Sequence, residues 1–441
     1  MDVLLQRSLN TSTHIAVLGG GYAGMAAAVE LADAGARVTV FEAGPVLGGR
    51  ARRVSIDGRE IDNGQHLLIG AYSELLGLMR RVGVDPDFAF VRTPLDLAVE
   101  PGFRLRAPKL PAPLHLAVAL LAARGLSWRE RWALIRAMRS AETSRWRLVD
   151  DLPVADWLAA QGQPVRLVEA FWRPLTVAAL NTPLETASTQ VLFNVLRDSL
   201  AGSRSASDLL FPRIDFSALF PDAAARHVAA SGGEVRLNAA VKLLVRDGDG
   251  WLVNGEHFDG VVCALPPHRA GMALGSVDAC APLVAQLAAW DYQPIVTVYL
   301  QYPASVTLPQ PMVGLAAGVS QWIFDRGQTH DQPGLIAVVL SARGAHSDLS
   351  QAQLISAVVA ELDTVFAWGE PGWRRVIAEK RATFAATPGL WRPANTTAEP
   401  SLWLAGDYTA GDYPATLEGA IRSGQTASRG IIAAFLAGTI L

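Results

Sequence analysis

The stretch His14-Ile-Ala-Val-Leu-Gly19-Gly20-Gly21-Tyr22-Ala23-Gly24 limits this chain more than any other part of its sequence. It reads as a buried strand that runs through Gly-x-Gly-x-x-Gly into a helix, predicted over Met25 to Ala34. A dinucleotide requires that order. The strand delivers a tight turn, Gly21 admits the pyrophosphate to the backbone, Gly24 lets helix and strand pack closely, and the helix N-terminus faces the phosphates. A second strand, Arg37-Val-Thr-Val-Phe-Glu42, ends in an acid eighteen residues after Gly24, where a carboxylate takes the adenosine ribose hydroxyls.

At 441 residues the chain has room for two domains or for one with a large insertion. Half its residues are apolar and its formal net charge is -3, which gives nucleic acid no basic surface to bind. Lysine occurs only at Lys109, Lys242 and Lys380, so arginine carries nearly all the positive charge. Cys263 and Cys280 form no metal spacing or disulfide framework, which fits a reducing, cytoplasmic compartment. Met1 to Thr13 is polar and lacks the apolar core of a secretion signal.

No apolar run reaches the ~20 residues that span a bilayer. Leu114 to Ala123 and Gly430 to Gly438 are shorter apolar runs, both read first as buried helices. The first follows proline-rich Ala107 to Pro113 and precedes a basic helix predicted over Trp128 to Arg147. The 107–123 segment is therefore the candidate for a peripheral contact with the inner face of the cytoplasmic membrane.

The pattern predicts an α/β fold: a discontinuous Rossmann-like nucleotide-binding domain from 12–69, 220–267 and 396–441, and a substrate domain from 70–219 and 268–395. The 70–219 piece reads as mainly helical, with a capping box at Ser127-Trp-Arg-Glu130. The 268–395 piece mixes strands at Ile295 to Leu300 and Leu335 to Leu340 with a helix at Gln351 to Phe366.

Four further segments extend the first motif: Gly48-Gly49-Arg50, Ile61-Asp62-Asn63-Gly64-Gln65-His66, Val261-Val-Cys-Ala-Leu-Pro-Pro267, and Gly406-Asp407 followed by Ala415-Thr416-Leu417-Glu418-Gly419-Ala420. In order and spacing they resemble the glutathione-reductase-type flavoproteins of the amine oxidase and phytoene desaturase superfamily. The resemblance implies FAD, with Gly19, Gly21, Ala23 and Gly24 at the pyrophosphate, Glu42 at the ribose, and Gly49 and Arg50 at the phosphates or flavin edge. It implies further that Gly64 and Gln65 lie by the cofactor, Val241 pairs with the adenine, and Gly406 and Asp407 hold the ribityl chain. Thr416, Leu417 and Ala420 would then open a helix aimed at the flavin N1 edge, where reduced flavin is negative and a helix N-terminus is favourable.

Three classes of function remain. An amine oxidase typically has a lysine near the reacting flavin atom and an aromatic cage; here Tyr413 supplies one wall, Thr416 stands at the other, and no lysine lies between Lys242 and Lys380. Three segments (Phe171 to Pro183, Lys380 to Gly389 and Gly406 to Thr416) are similar to the bacterial hydroxysqualene dehydroxylase family. That resemblance implies a long-chain isoprenoid substrate and loss of its hydroxyl by hydride transfer to an allylic cation, with polyisoprenoid desaturation as the alternative. A non-enzymatic isoprenoid carrier is the third class, although it would have no use for an intact pyrophosphate loop. Proton-donor candidates are His66, Asp412 and Tyr413, with Arg173 to orient the hydroxyl. No second dinucleotide motif follows a strand, which leaves the electron donor unknown.

Overall fold

The computed structural model describes Leu9 and residues 13–438. Most of the Met1 to Thr13 segment thus lies outside the described residues. Five strands form a parallel sheet in the order Glu234–Arg236, Arg37–Phe41, His14–Leu18, Gly260–Cys263, Leu402–Leu404. Its two central strands are buried on both faces and read as continuous apolar runs, as a covered parallel sheet demands. Helices Tyr22–Asp33, Pro221–Ala230 and Leu417–Leu436 supply much of that cover. The first begins three residues earlier than predicted because Gly21, extended at φ -76°, serves as its N-cap and leaves the whole first turn facing the glycine loop.

A seven-stranded mixed sheet forms the other half, in the order Trp373–Phe384, Tyr292–Gln301, Leu335–Ser341, Trp322–Asp325, Met312–Leu315, Asp96–Glu100, Phe103–Arg106. Val298, Leu300, Ile336, Val338 and Leu340 point to one face and pack on helix Gln351–Phe366 through Leu354, Val358 and Leu362. The alternate residues Tyr299, Trp322, Phe324, Ala337 and Val339 join a different apolar cluster, shared with the helices of the 70–219 segment. Period-two alternation therefore decides which side of this sheet meets the substrate half's interior.

The 70–219 segment is mainly helical, as expected, but Asp96–Glu100 and Phe103–Arg106 form a hairpin at the edge of the large sheet, with Phe103 and Leu105 inward and Arg104 and Arg106 outward across the Pro101-Gly102 turn. The helix predicted to Arg147 stops at Thr143, because Arg145 and Trp146 take left-handed conformations. The capping box at Ser127 and Glu130 forms as expected. Among the described residues no helix is long and apolar enough to cross a membrane.

Candidate flavin site

Backbone geometry builds the nucleotide end. Gly19 has φ +108°, and a side chain there would press on the carbonyl of Ala264. A Cβ on Gly24 would collide with the Gly19 carbonyl oxygen, so the helix rests directly on the strand that precedes it. Gly48 donates its N–H to the Gly20 carbonyl at 2.9 Å, which lays the Gly48-Gly49-Arg50 loop along Gly21. Ala23 is buried under the C-terminal helix, with its carbonyl against Gly424.

Glu42 sits at the end of the second strand as predicted. Its carboxylate accepts from the Gly20 N–H at 2.8 Å and the Gly44 N–H at 2.7 Å, so the acid also braces the loop. The turn carrying Val241 reaches the same place: Ala239 donates to the Glu42 carbonyl and Asn238 to the Gly44 carbonyl, with Val241 half-buried beyond them.

Arg50 and Asp407, 357 residues apart, form an ion pair at 2.7 Å, and Arg50 also donates to the Ala382 carbonyl at 2.7 Å. Gly406 donates to Ser423 Oγ at 2.9 Å, which ties this corner to the C-terminal helix. Thr416 caps that helix by accepting from the Gly419 N–H at 3.0 Å, with Leu417 and buried Ala420 in its first turn.

His66 lies between Phe216, whose ring centre is 4.9 Å away, and the Gly64 backbone, opposite Thr297. Burial, with help from the positive charge of Arg50, pushes its imidazole down to about 4. The ring is therefore neutral near pH 7 and offers an N–H rather than the dissociable proton of an imidazolium. Gln65 accepts from Arg326 at 2.8 Å.

Around this corner three buried hydroxyls, those of Tyr292, Thr297 and Tyr408, have no protein partner among the described residues. Tyr292 and Tyr408 lie within the fields of Arg50 and Asp407, while Thr297 faces Gly64. Orphaned buried hydroxyls are costly in a finished core and are accounted for when a polar group lies against them. A glycine cradle at one end and unpaired hydroxyls beside an Arg–Asp pair at the other fit the phosphate and ribityl parts of FAD.

The remaining catalytic candidates are placed elsewhere. Arg173 is bound by Glu169 at 2.8 Å and Glu185 at 3.0 Å on a partly exposed face. Tyr413 donates its hydroxyl to Asp198 at 2.7 Å. Asp412 pairs with Arg197 at 3.2 Å and receives Asn194 on its carbonyl. Asp412 and Tyr413 line an outer cavity of about 540 Å³, together with Arg197, Arg392, Arg422 and Arg429. Arg197 is matched by Asp198 and Asp412, Arg422 by Glu418, Arg429 by Glu30 and Arg392 by four backbone carbonyls, so the cavity wall braces the 407–416 loop. Of the four, only His66 faces the glycine and hydroxyl corner.

Sequence reasoning missed a buried seam. Asp62, fully buried, accepts from Arg326 at 3.1 Å and from the Phe216 N–H at 3.0 Å, and its carbonyl accepts from the Tyr299 hydroxyl. This pair joins the Asp62-to-His66 segment to the large sheet. The signal was present: Arg326 comes one residue after the buried apolar run Trp322-Ile-Phe, beside Asp325, and a charge carried into the interior needs a buried partner.

The three segments that carried the family resemblance meet in space. Asn181 donates to Thr383 Oγ1 at 2.9 Å, Thr182 accepts from the Ala386 N–H at 3.0 Å, and Arg50 bridges the Ala382 carbonyl and Asp407 at 2.7 Å each.

Known proteins share this plan. A hydroxysqualene dehydroxylase of Zymomonas mobilis is 29% identical over 94% of this chain and 98% of its own length. A 15-cis-phytoene desaturase of Synechococcus elongatus is 26% identical over 95% and 96%. A solved putative protoporphyrinogen oxidase from Exiguobacterium superposes over 96% of this chain and 99% of its own, with a TM-score of 0.68 at 18% identity, which speaks for the fold alone. The family pattern described as flavin containing amine oxidoreductase matches residues 22–432, and so the chain belongs to that family of FAD-dependent oxidoreductases.

Proposed function

We propose that the protein removes the hydroxyl of hydroxysqualene, giving squalene and water while reduced flavin is oxidised. The observation that carries this reading is the convergence of Phe171 to Pro183, Lys380 to Gly389 and Gly406 to Thr416 on one corner beside the Arg50–Asp407 pair. These are the segments whose likeness to hydroxysqualene dehydroxylases goes beyond the shared cofactor motifs. The match to the Zymomonas enzyme over nearly the full length of both chains supports it. All three lysines are exposed, which withdraws support from an amine oxidase that holds a lysine at its flavin.

When bound and reduced, FAD supplies a hydride to the carbon that loses the hydroxyl. The chain's own part is to assist departure of that hydroxyl and keep water away from the allylic cation it leaves. Phe171, Trp172, Trp322 and Phe324 belong to the apolar cluster that would exclude water. Of the groups at this corner, Tyr292 offers a hydroxyl proton and neutral His66 a hydrogen-bonding N–H. The Tyr292 hydroxyl has no protein partner among the described residues, and burial raises its pKa, so it holds its proton until a substrate oxygen arrives. One such donor is worth roughly 10²–10⁴-fold in rate.

The test is anaerobic. The purified flavoprotein is reduced with dithionite, freed of excess reductant and mixed with hydroxysqualene. Reoxidation of the flavin with formation of squalene is expected, slowed roughly 10²-fold or more in Tyr292→Phe or His66→Asn. Flavin that stays reduced overturns the reading. Oxidised flavin bleached by a polyene would establish the desaturase instead, a reading favoured by the phytoene desaturase match.

A further inference from the structure

The run Leu114 to Ala123, read from sequence first as a buried helix, is only half buried. Helix Leu114–Ala122 is apolar on every side except at His115, and His115 and Ala119 turn inward. Outward, at helical spacing, stand Leu114, Ala117, Val118 and Leu121, all exposed. Leu114 retains 55% of its surface, Val118 39% and Leu121 42%. The next helix, Trp128–Thr143, continues the patch with Trp128 and Trp132, one turn apart and 64% and 60% exposed. A surface helix normally turns polar residues to water; one that turns leucine, valine and tryptophan outward has an apolar phase to meet.

Charge identifies that phase. Residues 101–140 contain eight arginines and lysines (Arg104, Arg106, Lys109, Arg124, Arg129, Arg131, Arg136, Arg139) against one acid, Glu130. This local excess of positive charge, from which Arg104 and Arg106 are withdrawn by Asp96, stands within a chain whose net charge is -3. Glu130 is buried in its capping box and subtracts little from the surface. Lys109, Arg124, Arg129, Arg136 and Arg139 are exposed. Trp128, Trp132, Arg136 and Arg139 follow one another along a single stripe of the helix, so the aromatic end grades into a cationic one. Tryptophan favours the headgroup level of a bilayer, and arginine its anionic phosphates.

We propose that the hairpin of helices 114–122 and 128–143 is a monotopic docking face for an anionic lipid bilayer, with Leu114, Val118, Leu121, Trp128 and Trp132 entering the headgroup layer. The inference stands on this surface alone and survives failure of the substrate assignment. Leu116 and Leu120, on the inner side of the same helix, pack against the cluster that contains Phe103 and Phe171. The docking face is thus continuous with the apolar interior of the substrate half, which suits delivery of a ligand out of the membrane.

The full flavin-loaded chain is sedimented with vesicles of phosphatidylcholine alone and with 30% phosphatidylglycerol (about a third anionic lipid, as in the surfaces such patches recognise). Binding to the anionic vesicles is expected to exceed binding to the neutral ones about tenfold or more and to weaken with salt. Trp128→Ser with Trp132→Ser is expected to lower partition to both vesicles about tenfold. Arg129→Glu with Arg136→Glu should abolish only the preference for anionic lipid. Unchanged flavin absorbance and melting in each variant establish that it has folded. Equal sedimentation of wild type and Trp variant, or none of either, overturns the proposal. So does a dimer in lipid-free sedimentation that the Trp variant dissolves, because the face would then be an interface between copies.

Discussion

At the glycine loop backbone packs against backbone, with Gly24 beneath the carbonyl of Gly19 and Gly48 bonded to Gly20. At the neighbouring seam between the Asp62-to-His66 segment and the large sheet, side chains make the contacts: Asp62, Gln65, Tyr299 and Arg326, drawn from positions 264 residues apart at the extreme. The first kind of contact leaves few choices of residue, since only glycine fits. The second has many chemical solutions and depends on two charges finding each other in the interior. The nucleotide end is therefore fixed by sterics and the seam by electrostatic compensation.

The largest effect on stability is expected at the seam. Arg326 and Asp62 retain 2% and 0% of their side-chain exposure. Removing one partner strands a buried charge and costs about 3–5 kcal/mol, whereas an apolar pair of similar volume can restore much of it. Arg326→Met should thus lower the denaturation midpoint strongly, and Asp62→Leu combined with Arg326→Met should be the milder change. Chemical denaturation of the wild type, the two single variants Arg326→Met and Asp62→Leu, and the double variant checks this. A double variant as unstable as the sum of the singles would show that the seam is held by packing and not by compensation.

Gly24→Ala comes next. The added methyl must displace the Gly19 backbone, and overpacking of this kind costs about 1–3 kcal/mol. The variant should fold with a lower melting temperature and be purified with little flavin. Full flavin occupancy at normal stability would mean that the helix can move off the strand, which would remove the steric half of the contrast.

What the sequence revealed follows the same division. The glycines at 19, 21, 24, 48 and 49, the acid at 42 and the Gly406-Asp407 corner were legible because a dinucleotide loop imposes spacing that few other structures share. The partnership of Arg50 with Asp407 was not, since spacing along the chain says nothing about contact across 357 residues. The surroundings of Arg173, Asp412 and Tyr413 were hidden for a related reason. Each lies in a segment near the site, yet its polar group is taken up by Glu169 and Glu185, by Arg197, and by Asp198. For helix 114–122 the sequence marked a candidate membrane contact but not its outward face, because an apolar run does not reveal which of its sides is covered.

His330 gives a smaller, pH-dependent effect at the seam. It lies 3.7 Å from Asp62, and burial together with Arg326 pushes its imidazole down to about 2 from the ordinary 6.5. It is therefore neutral at pH 7, and its contact with Asp62 is not an ion pair. Because the folded state resists a proton that the unfolded chain accepts, the stabilisation is complete above pH 6.5 and drains away as the pH falls below it. The loss amounts to about 1 kcal/mol between pH 6.5 and 5.5. His330→Gln should make that part of the stability profile shallower by this amount, leaving the share of His66, and parallel profiles for the two proteins would place the titration elsewhere.

The smallest effect is expected at Arg173, where the comparison sharpens because the ion pair is good in geometry but lies in water. Its two carboxylate partners stand at 2.8 and 3.0 Å, shorter than the 3.1 Å of the Asp62–Arg326 contact. Distance alone would rank Arg173 the stronger. Exposure reverses the order: Arg173 keeps 38% of its side-chain surface and Glu169 and Glu185 keep 45% and 56%, so water already solvates all three charges. Exposed pairs of this kind are worth about 0–1 kcal/mol and fade with salt. Arg173→Gln should leave flavin content and turnover near wild type and shift stability by less than about 1 kcal/mol. A turnover loss of tenfold or more at unchanged stability would return Arg173 to the substrate hydroxyl, as its place in the Phe171-to-Pro183 segment first suggested.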